Sequence, residues 1–569
     1  MTLKIVGVFI VLGLCACSQK PATEQKIANL VVLDASIQTM NPAQPRAKAL
    51  AVLDGKVAYV GDEQGAQAWI GKDTRVIQAK GATVLPGLID SHIHLMEGAL
   101  SLDSCTAQDA QLTLDKLEPI IRECVTKTTG DGWVIVESVN GAGFKADRSA
   151  LDAIVADRPL LLWGADGHSG WVNSAGLRVA GIDRNTKNPA GGHIGRDRKG
   201  EATGFLVDNA LGALIEKLPK ASEEKRQELL LRALHDLKAV GVTSYLEANT
   251  SEQTIDTYIA LVQKNQFHRK VTFALASDGA ATDEEFARLK ALRQKAEAFP
   301  PMRANLIKLF GDGVMEYPSQ TAAMLEPYLE NGKPGKNLGP LYHEKEPLTA
   351  FVERAAKEGF GVHIHVIGDR AARVALDAFE AARAQGSKES YSLTHLELVD
   401  PQDLPRFKQL DVIASMQLQW GQPDNYSVEA VLPYIGPERQ GRLYPAKSLV
   451  DAGATLAGAS DWSVSTFNPF EAIAIAMSRK SVKEPQREPM APDQAVSLQQ
   501  MLAAYTMNAA RIMGREKTVG SLETGKDADF ILLDRTYTDS TSSSDVLATK
   551  VVYTFIDGAQ QIGPAGEPS

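Results

Sequence analysis

From residue 29 the chain reads as short apolar runs broken by turns. Aliphatic and β-branched clusters at 30–33, 49–52, 56–60 and 74–77 predict strands, and Asp54-Gly55 predicts a hairpin turn. Past residue 95 the pattern changes. Apolar runs at 133–136, 159–163, 242–246, 271–275, 306–310, 361–365, 392–395, 412–416 and 455–458 predict further strands. Between them lie segments with apolar residues at helical spacing, such as 223–240, closed by Gly241, and 348–357, just before Gly359. The chain then returns to strands at 530–533 and 551–556, after the turn-rich stretch 519–529. Repeated strand–helix units predict an α/β fold with a closed parallel TIM (β/α)8 barrel, and the β-rich ends predict a small composite sandwich built from both. A doubly wound open sheet is the alternative. No Gly-x-Gly-x-x-Gly follows any of these strands, so no dinucleotide site is expected.

One stretch, Leu85-Pro86-Gly87-Leu88-Ile89-Asp90-Ser91-His92-Ile93-His94-Leu95, carries candidate chemistry. As a strand it would put Leu88, Asp90, His92 and His94 on one face and Ile89, Ile93 and Leu95 on the other. Two imidazoles two residues apart on a strand can share a metal ion. Taken alone, a His-x-His is more often a pair of core or surface histidines, so the case depends on ligands downstream. Parallel barrels gather their chemistry at the C-terminal ends of strands. There the chain offers His365, His395 and Asp461, with Lys308 inside an apolar run. A lysine in that setting either snorkels to water from an edge or sits neutral, able to capture carbon dioxide as an anionic carbamate. His363 shares the strand parity of His365, and parity does not choose between them. Residues 164–218 form a long insertion containing Asp166-Gly167-His168-Ser169-Gly170-Trp171-Val172-Asn173.

Composition adds limits. At 569 residues the chain is long enough for a large barrel and a second domain. Its net charge of −10, with no basic run, argues against nucleic acid as a partner. Lys4 precedes an apolar run at 5–14 that is too short to span a membrane and ends at Leu14-Cys15-Ala16-Cys17. This resembles a bacterial lipobox, with Cys17 lipidated. The alternatives are an ordinary secretory signal or an uncleaved anchor. Ser18 after the lipid site fits sorting to the outer membrane, facing the periplasm, so the expected membrane association is through the lipid anchor only. Cys105 and Cys124 either pair in that oxidising compartment or remain free thiols.

Taken together and in order, the motifs resemble one family. The His-x-His stretch looks like the amidohydrolase superfamily signature. Asp166 to Asn173, Lys308-Leu309-Phe310-Gly311-Asp312-Gly313, His365-Val366-Ile367-Gly368-Asp369-Arg370-Ala371, Gly458-Ala459-Ser460-Asp461-Trp462 and Gly520 to Asp529 narrow it to the YtcJ-like, or amidohydrolase 3, branch. The resemblance implies a TIM barrel with a composite β-sandwich. It also implies one or two divalent metals, usually zinc, held by His92, His94, Lys308, His365, His395 and Asp461, with carboxylated Lys308 bridging in binuclear members. The family motif, not parity, selects His365 over His363. Asp90 is then a barrel-interior partner rather than a ligand. Hydroxide generated at the metal would attack, and Asp461 would orient it, take its proton and pass it to the leaving nitrogen.

The implied domains are a signal segment 1–17, a tether 18–28, sandwich strands 29–85, a hydrolase barrel 86–514, sandwich strands 515–562 and a tail 563–569. Departures from relatives fall near the expected pocket: Met416-Gln417-Leu418-Gln419-Trp420, Ser463 and Ser319-Gln320. His168, Trp171, Gln417 and Trp420 are candidate substrate contacts, with loop-fixing for His168 and packing for the tryptophans as the alternatives. The expected activity is hydrolysis of a non-peptide C–N bond in a small molecule: an amide, N-acyl amino acid, carbamate or cyclic amide. Ester or lactone hydrolysis at the same site and a non-catalytic surface-binding lipoprotein are the competing readings.

Overall fold

The structure is a computed structural model that describes residues 1–2 and 26–564, apart from 129, 131 and 190. The signal segment, with Cys17 and most of the tether, lies outside the described residues. Eight parallel strands form an almost closed barrel in sequence order: β1 (Leu88–Ile93), β2 (Val242–Thr250), β3 (Lys270–Ala276), β4 (Met302–Phe310), β5 (Gly361–Val366), β6 (Tyr391–His395), β7 (Val412–Met416) and β8 (Thr455–Gly458). Every neighbouring pair from β1 to β8 is hydrogen-bonded. The seam between β8 and β1 is bridged by individual bonds instead. Ser91 Oγ donates to Gly458 O at 2.9 Å, and Ser460 N donates to Asp90 Oδ1 at 3.1 Å. Asp461 N donates to His92 O, and His94 N donates to Trp462 O, both at 2.9 Å.

Helices alternate with the strands for local reasons the chain states plainly. The helix Glu223–Ala239 starts at Ser222, whose side chain accepts from Lys225 N, and carries Glu223 and Glu224 in its first turn. It stops ahead of Gly241, whose φ of +80° a side chain would disfavour. Its Leu229, Leu230, Ala233, Leu234 and Leu237 pack into the main apolar cluster around the barrel.

A second cluster sits inside the barrel. Ile89, Leu246, Ala274, Leu306, Ile413 and Ala457 come from six different strands and pack with Ala509, Ile512, Met513 and Val519. Ile89 and Leu306 lie ahead of His92 and Lys308 on their strands, so this cluster plugs the end of the barrel away from the candidate ligands. Strict alternation on β1 therefore fails. Ile89 joins this interior plug, whereas Ile93 packs outside among the helices. The cause is a pairing register between β1 and β2 that slips twice along the strand.

The runs at 133–136 and 159–163 are not barrel strands. They belong to a separate six-stranded sheet between β1 and β2, ordered Gly192–Arg196, Ala202–Asp208, Ser169–Val172, Leu160–Gly164, Val134–Val139, Cys105–Thr106. The inserted unit thus begins well before residue 164. Its strands are as apolar as barrel strands because both faces are covered, by two clusters centred on Leu162 and Leu161. Cys105 and Cys124 are paired in it, tying the edge strand Cys105–Thr106 to the helix Leu114–Lys127.

The chain ends form two more sheets. One runs Lys56–Gly61, Ala49–Leu53, Leu30–Leu33, Arg75–Gln78. The other runs Ala559–Ile562, Val551–Ile556, Phe530–Leu533, Thr83–Pro86, Ser36–Gln38, Arg46–Ala47, so strands from opposite ends of the sequence are directly bonded. Asp54 and Gly55 both have positive φ, as the two-residue hairpin turn requires.

Candidate metal centre

At the polar end of the barrel the strand ends converge. His92 Nε2 lies 3.1 Å from Asp461 Oδ1, and His94 Nε2 lies 3.3 Å from the same oxygen. His92, His395 and Asp461 each place one ligand atom within 4.8 Å of the others. The seam bonds bring this about: Asp461 N is hydrogen-bonded to the backbone of His92 itself. Asp461 and His395 both adopt left-handed backbone, with φ of 55° and 76°. Non-glycine residues held there store strain, and such strain concentrates at functional sites.

The remaining ligand candidates complete the ring. The His365 imidazole is 4.4 Å, centre to centre, from that of His395, and its Nε2 donates to Gly313 O at 3.0 Å, which leaves Nδ1 to the site. Lys308 is 1% exposed, with Nζ 4.0 Å over the Phe310 ring. Three buried atoms here, His92 Nε2, Asp461 Oδ1 and Lys308 Nζ, have no hydrogen-bond partner among the described residues. Unsatisfied polar atoms are costly when buried. A divalent ion would satisfy the first two, and two imidazole nitrogens beside a carboxylate oxygen are the donor set such ions take. The residues present fit the group.

Electrostatics agree with a centre poised for a cation. Burial, reinforced by Lys308, lowers His92 to about 3. Burial likewise drives His365 and His395 well below the ordinary imidazole range, so all three stay neutral and able to ligate. Burial alone would raise the Asp461 carboxyl, but His395, His92 and His94 hold it well below the usual range. Burial brings Lys308 down to about 7. Asp90, pushed up to about 7 by burial, accepts from His92 N and Ser460 N and so braces the seam.

The substrate-contact candidates separate. Gln417 sits behind His395, its Oε1 3.0 Å from Nδ1, with Nε2 donating to Thr394 Oγ1. Trp420 stacks on His395 at 5.6 Å, with the planes 13° apart. His168 reaches the site from the inserted unit, its ring 5.3 Å from that of His365. Trp171 is not at the site. It is buried between Phe144 and Phe205 in the inserted unit's core. Two residues to which the sequence assigned no role also matter. Asp208 accepts from His168 Nδ1 at 2.6 Å from a left-handed backbone with φ of 54°. His363 lies beside His92. The parity shared with His365 was a usable signal for His363; nothing local marked Asp208, because its contact with His168 follows from the pairing of Ser169 with Val207.

Asp208 also lines a cleft of about 530 Å³ between the inserted sheet and the loop after β4. Ser319 and Gln320 line it too.

Comparison with known proteins finds relatives along nearly the whole chain. The N-substituted formamide deformylase of Arthrobacter pascens is 28% identical over 552 residues, covering 94% of this chain and 98% of its own. Protein LONG AFTER FAR-RED 3 of Arabidopsis thaliana is 29% identical, covering 94% and 91%. An uncharacterized metal-dependent hydrolase from Pyrococcus furiosus superposes with a TM-score of 0.65 at 25% identity, covering 89% of this chain and 99% of its own. The model of the amidohydrolase family matches residues 75–561, and the chain belongs to that family.

Proposed function

We propose that the protein is a metal-dependent hydrolase of a non-peptide C–N bond in a small molecule. The substrate classes in view are amides, N-acyl amino acids, carbamates and cyclic amides. The carrying observation is the convergence of His92 Nε2 and His94 Nε2 on Asp461 Oδ1, with His395 beside them. The deformylase relative, by its name an enzyme acting on an amide C–N bond, supports the choice of bond. A divalent ion held by His92, His94, His365, His395 and Asp461, zinc in our reading, would supply an acidified water and a polarised carbonyl.

The chain's own groups do the rest. Asp461 accepts a proton from the attacking water as the C–O bond forms, then delivers it to the leaving nitrogen as the C–N bond breaks. Gln417 and Gly313 O fix the rings of His395 and His365. Lys308, whose Nζ has no hydrogen-bond partner among the described residues and which burial brings down to about 7, can in its neutral form add carbon dioxide as a carbamate with release of one proton, which would supply an oxygen donor for a second ion. The test is a substrate panel run with the metal-loaded enzyme: N-substituted formamides, N-acyl amino acids, carbamates and cyclic amides against esters and lactones. Turnover of esters alone would move the assignment to ester hydrolysis. No turnover of anything, with no metal retained, would leave a binding protein.

We also propose export as a lipoprotein modified at Cys17. The pairing of Cys105 with Cys124 supports an oxidising compartment. Loss of membrane fractionation in Cys17→Ser checks this. Recovery of the unchanged protein in the soluble fraction refutes it. The apolar cluster shared by the two end sheets supports a composite sandwich beside the barrel.

A further inference from the structure

His363 lies outside the ligand set that the family motif selects, yet it is fully buried against His92. Its Nε2 is 2.6 Å from His92 Nδ1, and its Nδ1 is 2.7 Å from Ser392 Oγ. The three residues come from β1, β5 and β6, so the contact ties three strands together. We propose that His363 is a positioning residue that sets the tautomer of His92 for metal binding, through the chain His92–His363–Ser392. This inference rests on the metal-hydrolase reading.

The argument is one of proton placement. His92 can offer a lone pair from Nε2, the nitrogen that faces Asp461, only if its single proton sits on Nδ1. A buried N–H there needs an acceptor, and His363 Nε2 is the atom within reach. His363 accepts only if its own proton is on Nδ1, and that proton in turn needs an acceptor. Ser392 Oγ supplies it. With the chain in the opposite sense, His92 Nε2 would carry hydrogen and leave the ligand set. Groups that hold a ligating histidine through its other nitrogen in this way tune its orientation and basicity.

The experiment is Zn²⁺ affinity of the metal-stripped, full-length protein, measured by competition with a chromogenic chelator. In His363→Phe, which keeps bulk and removes the acceptor, affinity is expected to fall about 10–100-fold. In His363→Gln, whose Oε1 can accept from His92 Nδ1, most of the loss is recovered. Ser392→Ala, which leaves His363 in place, gives a smaller loss and carries the test should His363→Phe fail to fold. Unchanged affinity in His363→Phe or in Ser392→Ala overturns the inference, as does an equal loss in the Phe and Gln variants. A wild-type protein with no Zn²⁺ affinity overturns the hydrolase reading itself, an outcome visible before any variant is compared.

Discussion

Asp461 stands where the two readings of a carboxylate, ligand and proton carrier, meet. It is buried, faces two imidazole nitrogens and has one oxygen without a hydrogen-bond partner among the described residues. Asp461→Asn keeps the shape and removes the proton acceptor. Turnover is expected to fall by about 100-fold or more while most of the metal, counted by elemental analysis, is retained. A second expectation concerns the inserted unit. Asp208 fixes His168, whose Nε2 is left for whatever occupies the site. Asp208→Asn and His168→Ala should each lower kcat/KM by about 100-fold with metal content unchanged, on the same assay. His92, His94, His365, His395 and Asp461 could all be named from the chain as candidate ligands, because each belongs to a motif with a fixed neighbour pattern. Asp208 and His363 could not be assigned roles, because what they do depends on partners far away in sequence.

At the scale of elements, four strand-borne histidines, His92, His363, His365 and His395, are held below the ordinary imidazole value of 6.5, in each case chiefly by burial. The sign of the consequence follows. Below pH 6.5 the unfolded chain takes up protons that the folded barrel excludes, so the unfolded state gains, and stability falls as pH falls. Each group acting alone contributes about 1.4 kcal/mol per pH unit once well below its unfolded value. In thermal unfolding of the metal-free protein these histidines contribute a downward slope of the midpoint as pH falls from 7 to 5, opposed by buried carboxyls such as Asp90, raised to about 7, which act the other way. Replacing His363 with Gln should flatten that slope. The barrel strands were legible because β-branched runs alternate with capped amphipathic helices. The runs at 133–136 and 159–163 look the same in sequence, since a strand buried on both faces reads alike in any sheet.

Across the whole molecule, the inserted sheet brings His168 and Asp208 to the barrel mouth, and Tyr426 of the loop after β7 donates to its Asp109. The Cys105–Cys124 bond closes a loop with a sequence separation of 19 inside this unit. A cross-link of that span stabilises by about 3 kcal/mol in the chain-entropy account. Reduction should make the inserted unit the first site of cleavage in limited proteolysis, with the barrel fragments persisting. Simultaneous loss of both would show that the two share one cooperative unit. No helix among the described residues is long and apolar enough to cross a membrane.

By itself the sequence determined the barrel and the family and named candidate metal-binding residues, because strand period, helix caps and short motifs are local, and local patterns survive in one dimension. Only the tertiary structure decided which apolar runs close the barrel, which residues contact the candidate ligands, and that His363 lies against His92. Those depend on register and on contacts between distant strands: the slip along β1 that turns Ile89 inward, and the unladdered seam that sets Asp461 beside His92. No spacing along the chain encodes either.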